Sequence, residues 1–94
     1  MTFIPGRAER TGEVVLAVER DVAVARRTVS KAMEAVGARA TAKTRFVTAV
    51  SEIARNALVH GGGGRLITFC DGDVVYIECS DRGPGISNIE VAMQ

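Results

Sequence analysis

The apolar positions change period along the chain, and each change marks an element. Residues 13–19, EVVLAVE, form a short run rich in β-branched side chains, which predicts a strand. From Val22 the period lengthens. Val22, Ala25, Val29, Ala32, Met33 and Val36 recur at spacings of three and four, which predicts a one-sided helix with Arg26, Arg27, Lys31 and Glu34 on its other face. Asp21 is the expected cap at its start, and Gly37 stands where a left-handed residue ends a helix. Phe46, Val50, Ile53, Ala54, Ala57 and Leu58 form a second stripe. It predicts a helix capped by Thr41 and stopped by the glycine run 61–64.

Two more apolar runs follow, RLITFC at 65–70 and VVYIEC at 74–79, with a turn signal at Asp71–Gly72 between them. They predict a hairpin. With Asp71 and Gly72 as its loop, Cys70 would pair with Asp73 and Cys79 would fall near Gly64. The two thiols would then be about 20 Å apart, where a disulfide needs Cα atoms within about 7 Å. Two reduced thiols are expected. DRGPG at 81–85 reads as an irregular loop, and SNIEVAMQ at 87–94 as a helix start that the chain does not finish. Helices beside a mostly antiparallel sheet define an α+β two-layer sandwich.

Composition narrows the class without naming a function. The chain has 94 residues, suited to a single domain; 47% are hydrophobic and 24% charged, and the formal net charge is +1. That balance gives no electrostatic case for a nucleic-acid or anionic-membrane partner. No apolar run approaches the roughly 20 residues of a membrane span, and MTFIPGRAER contains no apolar signal-peptide core. A cytoplasmic location is expected.

Two constellations can carry chemistry. Glu52 and Asn56 stand four residues apart and share a helix face, with Thr48 and His60 drifting along the same line. A carboxylate there could take a proton from an attacking hydroxyl, and an amide oxygen could ligate Mg²⁺, which favours a few protein oxygens plus phosphates and water. The plainer reading is a solvated helix face. The second constellation is Asp81-Arg82-Gly83-Pro84-Gly85. Its glycines permit close approach by a ligand, and the Asp directly after a strand could accept a hydrogen bond from an exocyclic amine. Its plainer reading is an ordinary turn.

Taken together and in this order, Glu-x-x-x-Asn on a helix, a hairpin, then Asp-x-Gly-x-Gly, the chain resembles the GHKL (Bergerat-fold) ATPase/kinase superfamily. SEIARN at 51–56 and DRGPGI at 81–86 are most similar to its small bacterial serine/threonine kinases of partner-switching pathways, the anti-sigma-factor and switch-kinase branch. The resemblance spans about residues 13–94. It implies a histidine-kinase-like ATPase fold and ATP and Mg²⁺ as cofactors. Glu52 would be the general base, and Asn56 the Mg²⁺ ligand. Asp81 would be the acceptor for the adenine amine. Gly83 and Gly85 would allow passage close to the base, and Ile86 would pack on it. Arg55 would orient Glu52 or face a partner, and His60 would simply end its helix.

The family pattern continues with a mobile lid, a second glycine box and further strands, none of which follows Asp81–Gln94 here. The resemblance therefore implies the N-terminal part of such a domain, with weakened ATP binding and an exposed sheet edge prone to self-association. The protein partners it implies are a small antagonist or scaffold domain as substrate, with a phosphatase or sigma factor as further partner. A non-catalytic binding module docking through Arg20, Arg26 and Arg27 is the alternative. A histidine-kinase catalytic domain is a weaker one, since the only histidine, His60, sits inside the nucleotide helix.

Overall fold

The computed structural model describes residues 6–81 and, as backbone, 86–92. The elements run β1 (Glu9–Leu16), α1 (Arg20–Ala35), α2 (Ala40–Val59), β2 (Gly64–Asp71), β3 (Val74–Asp81) and β4 (Ile86–Ala92). The sheet is antiparallel throughout, in the order β1-β2-β3-β4. The helices pack on one face of it, so the chain forms a small α+β domain with a two-layer arrangement.

The helical stripes bury as their periods require. Val22, Ala25, Val29, Ala32 and Met33 of α1 and Phe46, Val50, Ala54 and Ala57 of α2 meet Val14, Leu16, Leu66, Val75, Ile77 and Cys79 of the sheet. Val36, Ile53 and Leu58 pack against this core while only partly buried. Gly37 takes φ +77°, and the C-terminus of α1 closes with Ala38 N–H donating to Met33 and Gly37 N–H to Glu34. That pair of bonds is the Schellman arrangement, which satisfies carbonyls that a helix end leaves open.

Several expectations change. The first strand begins at Glu9 and ends at Leu16, because residues before Glu13 also pair with β2 through an irregularity between Arg10 and Gly12. It stops because the Asp21 carboxylate accepts the N–H groups of Ala17 and Val18 and turns the chain there. Asp21 thus lies inside the first turn of α1 and ties down the preceding turn, and does not cap the helix. Thr41 does not cap α2 either. Arg39, in extended conformation, precedes the first helical residue and makes no side-chain cap bond.

The hairpin is shifted by one residue. Asp71 pairs with Val74, so the loop is Gly72–Asp73, with φ +63° at Gly72. A loop with positive φ at its first position alone places glycine first. Cys70 then faces Val75 and Cys79 faces Leu66, four residues apart along the ladder. That is about 13 Å, still beyond disulfide reach, and both thiols are free.

The segment expected to start a helix is instead β4, which pairs along β3 from Ser80–Ile86 to Val74–Ala92. The open N–H and C=O row of β3 decides this segment's conformation, overriding its local preference. Strand β3 is therefore paired on both sides, and the outer strands are β1 and β4.

Candidate functional site

The second helix presents its polar face away from the sheet over Glu52, Arg55 and Asn56, all exposed, because Ala54 and Ala57 take the buried side. At its end, His60 is the C-terminal cap residue, donating to the Asn56 carbonyl at 2.9 Å. The chain then wraps back. The N–H groups of Gly61 and Gly63 both donate to the Ala57 carbonyl, at 3.1 and 2.9 Å. These two donors are consumed by the helix end, so they do not form a phosphate cradle.

This wrap brings the end of α2 against the end of β3. A cleft of about 150 Å³ results, lined by Ile53, Asn56, Ala57, His60, Cys79 and Asp81. Asn56 and Asp81, singled out separately in the sequence, thus line one cavity. Glu52 is not among its lining residues. It stands exposed on α2, four residues before Asn56. Of the remaining expected residues, Gly83 and Gly85 lie outside the described residues, and Ile86 opens β4, its backbone paired with Ser80.

The Asp81 carboxylate is the chemically unusual group. Its Oδ1 is buried and has no hydrogen-bond partner among the described residues. A buried acceptor left unanswered costs about 1–3 kcal/mol. Next to it, burial and then the Asp81 charge push the Cys79 thiol up to about 11, which keeps it protonated and unreactive near neutrality. A second and more open hollow of about 310 Å³ touches Asp81 from the β1 side, with Val15, Leu16, Ala17, Gly64, Arg65 and Ser80. It includes neither Asn56 nor Glu52.

Arg55 does not pair with Glu52. Its Nε lies 3.5 Å from Glu19, tying α2 to the turn before α1 through an exposed pair of small energetic weight. Among the described residues, no three His, Cys, Asp or Glu side chains gather as a metal cage. A cation held by Asn56 would take its other ligands from phosphate and water, as Mg²⁺ does. The donor set, an amide oxygen beside a base-sized cleft that carries an unanswered acceptor, fits the base and metal of a nucleotide. The cleft is smaller than the roughly 300–1,000 Å³ of a complete small-molecule pocket.

Two contributions were missed in the sequence. Cys79 walls the cleft, and Gly61 makes room for Asp81: a β-carbon at Gly61 would stand 2.7 Å from the Asp81 Oδ2. The hydrophobic alternation of VVYIEC does place Cys79 and Asp81 on one face of β3, and that signal was available. No family model, curated protein or solved structure matches the chain. No helix among the described residues is long and apolar enough to cross a membrane.

Proposed function

We propose that the chain binds an adenine nucleotide in the Asn56–Asp81 cleft and acts as an ATP- and Mg²⁺-dependent serine/threonine protein kinase domain of GHKL type. Its setting would be a cytoplasmic partner-switching pathway of stress or sigma-factor control. One observation carries the reading. Asn56 on α2 and Asp81 at the end of β3 line a single base-sized cleft, and one oxygen of that Asp81 carboxylate lacks a donor among the described residues.

When bound, ATP supplies the phosphoryl group and Mg²⁺ offsets its charge. Asp81 would accept a hydrogen bond from the exocyclic amine of the base, a contact that discriminates against bases with a carbonyl in that position. Asn56 offers its amide oxygen to the cation. Glu52, one turn away and exposed, accepts the proton of a Ser or Thr hydroxyl. An exposed base suits a hydroxyl displayed on a folded partner, here a small antagonist or scaffold domain. Titration calorimetry with ADP and Mg²⁺ tests the reading: heat that is lost in Asp81→Ala supports it, and no heat with the unsubstituted chain overturns it.

A second reading, a non-catalytic regulatory module that binds a sigma factor or phosphatase, is favoured by a different feature. An open groove of about 320 Å³ lies between the helices, lined by Ala23, Arg26, Arg27, Ser30 and Val47. Loss of partner binding in Arg26→Glu/Arg27→Glu, with retention in Asn56→Ala and Asp81→Ala, would select it.

A further inference from the structure

We infer that Gly61 and Gly64 are positioning residues for the Asp81 acceptor: they clamp the end of β3 from two sides, and Gly61 sets where the carboxylate lies. The ligand that the carboxylate serves rests on the nucleotide reading above. The clamp itself rests on the glycine geometry alone.

The run Gly61–Gly64 divides its labour. Gly62 and Gly63 have φ of +73° and +104°, so they turn the chain in a region that L side chains avoid. Gly61 has no such backbone demand. A β-carbon there would instead overlap the Asp81 Cβ and stand 2.5 Å from its Cγ and 2.7 Å from its Oδ2, closer than atoms can pack. Gly64 meets backbone. A β-carbon there would collide with the Ser80 carbonyl and stand 2.8 Å from the Asp81 Cα.

The two obstacles differ in kind. Alanine at position 61 meets the root of the Asp81 side chain, so relief needs the Cα–Cβ bond to tilt as well as the carboxylate to rotate, and both carry the carboxylate out of its seat. The β3 backbone cannot rotate away from alanine at position 64 without breaking its ladder to β2, where Gly64 pairs with Asp81 itself. A helix that only had to stop would need a single glycine after its cap. Here two further glycines close on the residue whose buried oxygen lacks a donor. Gly61 is therefore the position whose β-carbon would press on the Asp81 side chain, where that of Gly64 would press on the β3 backbone.

The test uses the full 94-residue chain as Gly61→Ala, Asp81→Ala, Asp81→Gly, the double variant Gly61→Ala/Asp81→Gly and Gly64→Ala. Melting temperature is read beside Mg²⁺-dependent affinity for ADP and for inosine diphosphate, which carries a carbonyl in place of the adenine amine. Gly61→Ala is expected to lower the melting temperature by about 5 °C with Asp81 present and by about 1 °C or less when Asp81 is glycine, which removes the β-carbon that is met first. It is also expected to reduce an ADP preference of about 10-fold to near unity. Gly64→Ala is expected to lose the cooperative melt. Equal destabilisation by Gly61→Ala in both backgrounds overturns the clamp. An intact ADP preference in Gly61→Ala, where Asp81→Ala has lost it, overturns the positioning role. Melting coupling without any ADP preference in the unsubstituted chain supports the clamp and overturns the nucleotide reading instead.

Discussion

The Asp21 carboxylate reaches back along the chain to Val18, whose N–H donates to Oδ2 at 2.9 Å while the N–H of Ala17 donates to the same oxygen at 2.8 Å. These bonds, the one from Val18 first, hold the Asp21 carboxyl below its ordinary value. A depressed folded pKa contributes stability that is present above about pH 4 and is lost as pH falls through the folded value. Asp21→Asn should therefore lower the melting temperature at neutral pH and flatten the acid limb of the stability curve. Thermal melts between pH 2 and 7 check this; an unchanged acid limb would count against the turn's role.

The centre of the sheet should be the costliest place to remove volume. Leu66 is fully buried between Val14 of β1 and Cys79 of β3, its partners in the ladder. Leu66→Ala should cost about 2–5 kcal/mol, a large share of the roughly 5–15 kcal/mol available to a domain. Urea unfolding, with the midpoint moving at constant slope, is the appropriate measurement.

Cys79 carries the opposite pH signature to Asp21. It is 3% exposed, and burial is the leading reason its thiol moves from 9.0 to about 11. The unfolded chain releases this proton first, so the contribution is intact below about pH 9 and declines as pH rises towards 11. The loss should be about 2 kcal/mol. Cys79→Ala should remove that slope and leave the remaining alkaline titration in place. Against a thiol reagent near pH 8, the half-buried Cys70 should react well before Cys79.

Under the kinase reading, Glu52 and Asp81 should separate binding from transfer. Glu52→Ala should leave ADP affinity within about 2-fold and lower phosphoryl transfer by about 10²-fold or more, the contribution of a positioned base. Asp81→Ala should weaken nucleotide binding itself. Transfer to a small antagonist or scaffold domain, followed with labelled ATP, reads both. Equal loss of affinity in the two variants would remove Glu52 from the role of base.

The helices were legible because packing on a sheet is one-sided, and a one-sided demand leaves a period of three and four in the text from Val22 to Leu58. The hairpin was legible in existence and off by one in register. The Asp-Gly pair is common in such loops, yet here Gly72 takes the first loop position and Asp73 the second. Residues 86–92 misled for a stronger reason: their conformation is decided by the free edge of β3, which local preference does not contain. At the site, Asn56 and Asp81 were singled out through motif order, and the fold sets both along one cleft. The demand on Gly61 was invisible, since it arises only when the end of β3 comes to rest against it.

The route of the chain through the sheet also bears on the order in which it assembles. Strands β2 and β3 meet across two residues, whereas β1 reaches β2 only after both helices have intervened, Leu16 finding Gly64 and Glu9 finding Cys70. Closing a long loop is slower and entropically costlier than closing a short one. The hairpin and the helical pair would form early, and β1 would dock late, completing the rim where Leu16 meets Gly63 and Gly64. Weakening β1 should then quicken unfolding while leaving the refolding rate almost untouched.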